Sequence, residues 1–299
     1  MKKKIVIPIL VVAALITTGI LVSSYFVYSA MGNSDSSHNY IYSQTQESSE
    51  DLLIDLGVCD VIIGYNTTPM EEKLTVQFGY ENMIGVPQFS HQTQNQSTIL
   101  IPEKTEILKV QLRTDIKYNL NIIVKNGSIY LNVPENVSLG NIQISTVSGN
   151  ILTSFPGNNQ MDDLTLFTTT GNIKADITNG IISGDVTVSS ITGLISVSLF
   201  NISYQQDCNL DIYGIACNVF LTINQHENMN ANVEGTIGII EGNILVEYSD
   251  TSDNVSADFS NYFVSGITNE YTSLNHPAEH YYEVLCAIIT GNIFISGNE

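Results

Sequence analysis

Few residues in this sequence are able to do chemistry, and each needs a demanding geometry. His276-Pro277-Ala278-Glu279-His280 spells the His-x-x-Glu-His order of inverted zinc peptidases. That chemistry requires both imidazoles on one helical face, with the glutamate as base. Pro277 sits inside the motif, β-type sequence surrounds it and no third ligand is evident, so the segment reads as a loop. Asp163 and Asp185 are a second candidate, because carboxylates about 5 Å apart cleave glycosides and carboxylate clusters hold calcium. Asn141 and Asn209 occupy the equivalent repeat positions, which favours a turn or strand-start role. No catalytic, cofactor-binding or metal-ligating residue is therefore assigned. Calcium on that row is the one cofactor kept as an expectation.

Two further residue types carry chemistry only if the chain is exported. The cysteines are Cys59, Cys208, Cys217 and Cys286. Cys208 and Cys217 are nearest in sequence and are the expected disulfide, with other connectivities open. Cys286 falls on an inward position and reads as simply buried. Asn66, Asn95, Asn126, Asn136, Asn201 and Asn254 each begin an Asn-x-Ser/Thr sequon, the acceptor for N-glycosylation.

Charge narrows the functions. The chain carries a net charge of −20 with ten Lys and Arg, and residues 175–299 contain neither. A body this acidic repels phosphate backbones, which excludes nucleic acid as a partner. β-Helix polysaccharide lyases are the best enzymatic comparison, but they work with a Lys or Arg beside an acidic groove. Arg113 is the sole arginine.

These residues must be held by something. Ile5 to Tyr28 runs without a charge behind Lys2, Lys3 and Lys4. A spanning helix needs roughly 20 apolar residues, and basic flanks stay cytoplasmic. Residues 1–30 are therefore expected to be a transmembrane signal anchor, favoured over a cleaved signal peptide, whose apolar core is usually about 7–15 residues. The N-terminus would lie inside and the remainder outside. Residues 31–50, rich in Ser, Gln and Asn, read as a flexible polar stalk.

Beyond residue 50 the sequence repeats. Gly127, Gly149, Gly171 and Gly193 stand 22 residues apart. Gly242 and Gly291 continue the series with wider spacing, and Cys59 and Cys217 take the same slot. Counting from the glycine, apolar residues recur seven and five positions before it and two, four and six after it. Asn119, Asn141, Asp163, Asp185 and Asn209 stand eight before it. Period-two alternation on both sides gives two short strands per repeat, each with one apolar face. One such unit cannot bury that face alone, whereas stacked units make a continuous core. The Gly-Asn pair is the expected turn between the two strands.

The recurring Ser/Thr-Gly-Asn-Ile unit resembles that of the putative-adhesin family of β-helical domains, akin to the Gly-Ile-Asn repeats of head-domain adhesins. The resemblance covers most of residues 51–297 and is best over 119–248. It implies a right-handed parallel β-helix at a cell surface and brings no catalytic residues with it. The chain departs from the family at Cys59, at Cys217 and over 249–282.

The expectation is thus an all-β solenoid of about 22-residue coils over 51–299, preceded by one N-terminal transmembrane helix. Coils should be regular over 119–248 and less so over 65–118 and 249–282. The function expected is that of a non-enzymatic, membrane-anchored adhesin or display protein, touching surface glycans or proteins. A carbohydrate-active β-helix enzyme and the ectodomain of a sensory or scaffold complex are the alternatives. Ile293–Ile295 should form an end strand, covered by residues 249–282 or by a partner, or else used for end-to-end self-association.

Overall fold

In the computed structural model the described residues are 38–43, 49–67, 72–79, 88–93, 96–101, 107–224, 231–248, 267–272 and 280–297. Side chains are described at 49–67 and 107–223. The expected anchor lies outside these residues. Among them no helix is long and apolar enough to cross a membrane.

The architecture is a parallel β-solenoid. Lys117–Asn126, Leu139–Ser148 and Leu164–Thr170 pair in parallel, followed by Val186–Phe200 and Cys208–Asn224. Ile129–Asn132, Ile151–Phe155 and Ile173–Thr178 form the matching ladder after the glycine. The register is the 22-residue repeat itself: Ile144 opposes Leu166 and Ile151 opposes Ile173. Each inward position of the sequence template is buried where it is described, from Ile122, Ile144, Leu166, Val188 and Ile212 to Val133, Phe155, Ile177 and Leu199. β-Branched side chains suit this arrangement because they pack well on a pleated, half-buried surface.

Among the described residues three coils also have a third side that the two-strand reading lacks. Gln160–Met161, Ile181–Ile182 and Ser203–Tyr204 form a separate parallel sheet. Asn136, Asn158, Asn179 and Asn201 turn the chain toward it, with φ of 62°, 53°, 51° and 58°. Asparagine tolerates this left-handed conformation better than most residues.

The ends of the solenoid are stacked out of sequence order. Ser49–Val58 lies between Gln96–Ile101 and Lys117–Asn126, and Asp60–Asn66 lies between Ile107–Arg113 and Ile129–Asn132. Gln96–Ile101 and Ile107–Arg113 are therefore the two strands of an outer coil, in a stretch where the sequence template fits poorly. The offset to coil 49–66 changes from Asp51↔Gln96 to Asp60↔Ile107, a gain of two residues that breaks the template. Glu72–Gly79 and Gln88–Thr93 lie antiparallel on this outer coil, and His38–Ser43 pairs with Glu72–Gly79. His38–Ser43 and the start of Ser49–Val58 are strands within the run expected to be a stalk.

At the other end His280–Gly297 is inserted between Cys208–Asn224 and Ala231–Tyr248. The expected end strand at Ile293–Ile295 is thus paired on both sides, with Val219–Leu221 and with Ile244–Val246. The outer coil is 231–248. Ile267–Thr272, within the segment expected to provide a cover, lies antiparallel on its first half.

The glycine row brings the backbones of successive coils into close contact. A Cβ on Gly149 would lie 2.0 Å from the Gly127 carbonyl oxygen, and one on Gly171 or Gly193 would lie 1.9 Å from the oxygen of the glycine one coil back. Gly127 makes the same approach to Cys59. Substituting Gly171→Ala should lower stability by roughly 2–4 kcal/mol, through both clash and backbone conformation. Gly57→Ala, where nothing lies within 4 Å, should be neutral or stabilising. Thermal unfolding of the two variants beside the parent checks this contrast.

Candidate functional site

The solenoid arranges its polar residues in rows, and most rows are already occupied with structural work. In the slot after the glycine, Ser128 N–H donates to Asp60 Oδ1 at 2.7 Å, and Asn150 N–H to Ser128 Oγ at 3.2 Å. Asn172 N–H donates to Asn150 Oδ1 at 2.9 Å and Leu194 N–H to Asn172 Oδ1 at 3.0 Å. The asparagine of the Gly-Asn pair thus joins coils as a hydrogen-bond acceptor, while glycine alone takes the unusual backbone conformation.

The row eight residues before the glycine works the same way. Asn141 N–H donates to Asn119 Oδ1, Asp185 N–H to Asp163 Oδ1 and Asn209 N–H to Asp185 Oδ1, each at 2.9 Å. The Asp163 and Asp185 carboxylates are adjacent, as the sequence suggests. Each accepts a backbone N–H from the next coil, and both residues are exposed. Nothing there resembles an enclosed acid and nucleophile pair. Among the described residues no three His, Cys, Asp or Glu side chains gather as a metal site.

Inside the solenoid runs a row that sequence reasoning missed. Thr146 and Thr168 are buried, and their hydroxyls donate to the carbonyls of Gly127 and Gly149 at 3.1 and 3.2 Å. A Thr three residues before Gly149 and again before Gly171 is the signal that would have revealed it. Ser190 holds the next place in the row, but its hydroxyl has no partner.

Three basic residues are similarly committed. Lys117 pairs with Asp162 at 2.7 Å, Lys174 with Asp176 at 2.6 Å, and Arg113 with Asp115. The hydrogen bonds from Arg113 hold the Asp115 carboxyl below its ordinary range. Of the zinc-peptidase motif, His280 opens a strand opposite Ala231 and so lies off any helix, while 276–279 fall outside the described residues.

Cys208 and Cys217 do not form the expected disulfide. Both are free and buried, and they stand nine residues apart on the single strand Cys208–Asn224. An extended chain separates such residues by roughly 30 Å, far beyond disulfide reach. Cys217 faces Gly193 in register, and its thiol donates to the Ser190 carbonyl at 3.1 Å. Cys59 is also free and buried. Burial, helped by the Asp60 charge, pushes its thiol pKa up to about 12. Burial and the Asp185 charge push Cys208 up to about 11. Of the sequon residues, Asn126 and Asn136 are exposed, Asn66 and Asn201 are partly exposed, and Asn95 and Asn254 lie outside the described residues.

The outer face of the sheet before the glycine carries large exposed side chains. Ile123, Phe167 and Tyr213 lie on one row of it, each 37–39% exposed. Ser145 and Ser189 separate them, through the pairings Ile123↔Ser145↔Phe167↔Ser189↔Tyr213. The large side chains therefore recur at every second coil, roughly 10 Å apart. Two residues on, Lys125, Val147, Thr169, Ile191 and Ile215 form a second row, with its first large side chains offset by one coil. On the other flank stand Asn121, Gln143, Thr165, Thr187 and Asp211, partly exposed. Burying the Asp211 carboxyl beside Tyr213 raises its pKa, although a hydrogen bond from Tyr213 opposes the shift.

No protein-family model and no curated protein matches the chain. Among solved structures, the chain is similar to a putative cell adhesion protein from Clostridium sporogenes. Identity is 12% and TM-score 0.37, over 88% of this chain and 99% of that one. It is also similar to a putative adhesin from Bacteroides fragilis, at 13% identity and TM-score 0.37, over 89% and 98% of the two chains.

The burial of these three thiols yields a direct test. Iodoacetamide at pH 8 should leave Cys59, Cys208 and Cys217 unmodified in the native protein and label all three in denaturant, read residue by residue by mass spectrometry. Fast native labelling of Cys59 would contradict its burial at the end of the glycine row.

Proposed function

We propose that this chain is a non-enzymatic surface protein whose solenoid holds out the flat face around Phe167 and Tyr213 to bind neutral glycans. The row Ile123–Ser145–Phe167–Ser189–Tyr213 carries the reading. It sets large apolar groups at a two-coil period, which the core does not require. An aromatic face takes the C–H-rich side of a sugar ring by dispersion and quadrupole contact. The flanking Thr, Gln and Asn side chains supply hydrogen bonds that orient hydroxyls. A net charge of −20 disfavours uronic or sulfated polymers, which leaves uncharged glycans as the fitting class.

The flatness of the face supports binding without turnover. The carboxylate beside Tyr213, Asp211, is engaged by a hydrogen bond from that residue rather than poised as an acid or nucleophile. In this reading residues 1–30 anchor the chain in the membrane, and the solenoid stands outside the cell. Exposed Asn126 and Asn136 would be the first sequons to carry sugar in a host that glycosylates.

Titrating residues 35–299 with the hits of a neutral-glycan array tests the proposal. Phe167→Ala and Tyr213→Ala should each weaken binding at least about tenfold, the loss of roughly 1.4 kcal/mol, with the melting temperature unchanged. Release of shorter sugars from a bound glycan would refute the non-enzymatic reading. Unchanged affinity in both variants would refute the site.

A further inference from the structure

Cys208–Asn224 and Ala231–Tyr248 are successive strands in the chain, yet they are not neighbours in the sheet. Each pairs instead with His280–Gly297, which comes later than both. The pairing runs from Cys208↔Tyr282 to Thr222↔Ser296 on one side. On the other it runs from Ala231↔His280 to Tyr248↔Gly297. The repeat register holds across both junctions, since Cys217 opposes Gly291 and Gly291 opposes Gly242. Until segment 280–297 docks, two parallel strand edges face a slot one strand wide. Their backbone donors and acceptors remain unpaired at a cost too large for a stable end state.

That slot selects its occupant. A matching strand must set Gly291 in register with Cys217 on one side and with Gly242 on the other. It must also present apolar residues at the spacing of Val284, Cys286, Ile293 and Ile295. Every copy of this chain carries such a strand. We propose that the slot between coils 208–224 and 231–248 is a strand-exchange site, whose second occupant is segment 280–297 of another copy. Exchange makes no new kind of contact, so closed and exchanged forms differ little in pairing energy. Concentration at the time of folding then sets their ratio. Coil 49–66 is also stacked out of order, but it precedes both its neighbours and so is in place when they arrive.

Cross-linking in the full chain tests this. Glu247 and Ser296 are opposed in register, on the row of Ser198 and Thr222, which are partly exposed. Their backbones should be about 5 Å apart, within disulfide range. A chain carrying both Glu247→Cys and Ser296→Cys, folded dilute, should oxidise to an intrachain link, found by peptide mapping. Chains carrying one substitution each should be mixed in denaturant and refolded together. They should give an interchain 247–296 link whose yield rises with protein concentration. Absence of the intrachain link would overturn the insertion itself. An intrachain link without the interchain one at any concentration would overturn exchange. Interchain 247–247 and 296–296 links as abundant as 247–296 would overturn it too, since collision alone produces those.

Discussion

At each corner between the two main strands, the backbone of one coil passes within van der Waals reach of the coil before it. The carbonyl oxygen of Gly127, Gly149 or Gly171 occupies the space where a side chain would begin on the next glycine. Only a residue without a Cβ can stand there, with φ near 150°. This contact fixes the height of each coil on the next and hence the register of every other row. Side chains on the same slot then fall one above another. Two cysteines share the slot: Cys59 offers its carbonyl to Gly127, and Cys217 lies in register with Gly193 on the continuous strand Cys208–Asn224.

Once stacked, each slot faces the same two demands in every coil: fill the core or satisfy the backbone. Isoleucine, leucine and valine fill it. Asx and Ser side chains at two corners accept the N–H groups that a corner leaves over, and Thr146 and Thr168 donate to the glycine carbonyls. Each such bond contributes about 1 kcal/mol, small alone but repeated along the axis. This periodic duty explains why Asp163 and Asp185 are not a catalytic pair although they are adjacent. The rows that bear no such duty are those on the outer face of Phe167 and Tyr213, and there the sequence is free to vary toward a ligand.

Much of this could be read from the residues. Positions such as Ile144, Ile151 and Phe155 announced themselves by recurring at fixed distances from a glycine. The third strand did not, because two residues such as Gln160–Met161 are too short to show an alternation. The left-handed asparagines drift between eight and nine residues past the glycine, so counting blurred them. Cys208 and Cys217 misled because nearness along a chain was taken for nearness in space, whereas an extended strand carries its residues apart. Stacking order was not legible at all. A repeat template states what fits beside a coil and leaves open which of several equivalent coils takes the place.

That silence leaves a choice, and the physics of sheet edges explains the one observed. An outermost coil exposes unpaired backbone on its end face and needs flanking chain to fold back over it. Coil 96–113 has such chain immediately before it. Gln88–Thr93 turns back onto Gln96–Ile101, and Glu72–Gly79 covers Ile107–Arg113. Coil 231–248 has it afterwards, in Ile267–Thr272. Antiparallel strands serve here because a chain leaving a coil reverses more easily than it completes another circuit. Coils 49–66 and 280–297 then take the inner places, where partners on both faces remove any need for a cover. Sequence order yields to edge protection at both ends, while in the middle, where every coil has two neighbours, nothing opposes it and the repeats stack as they are written.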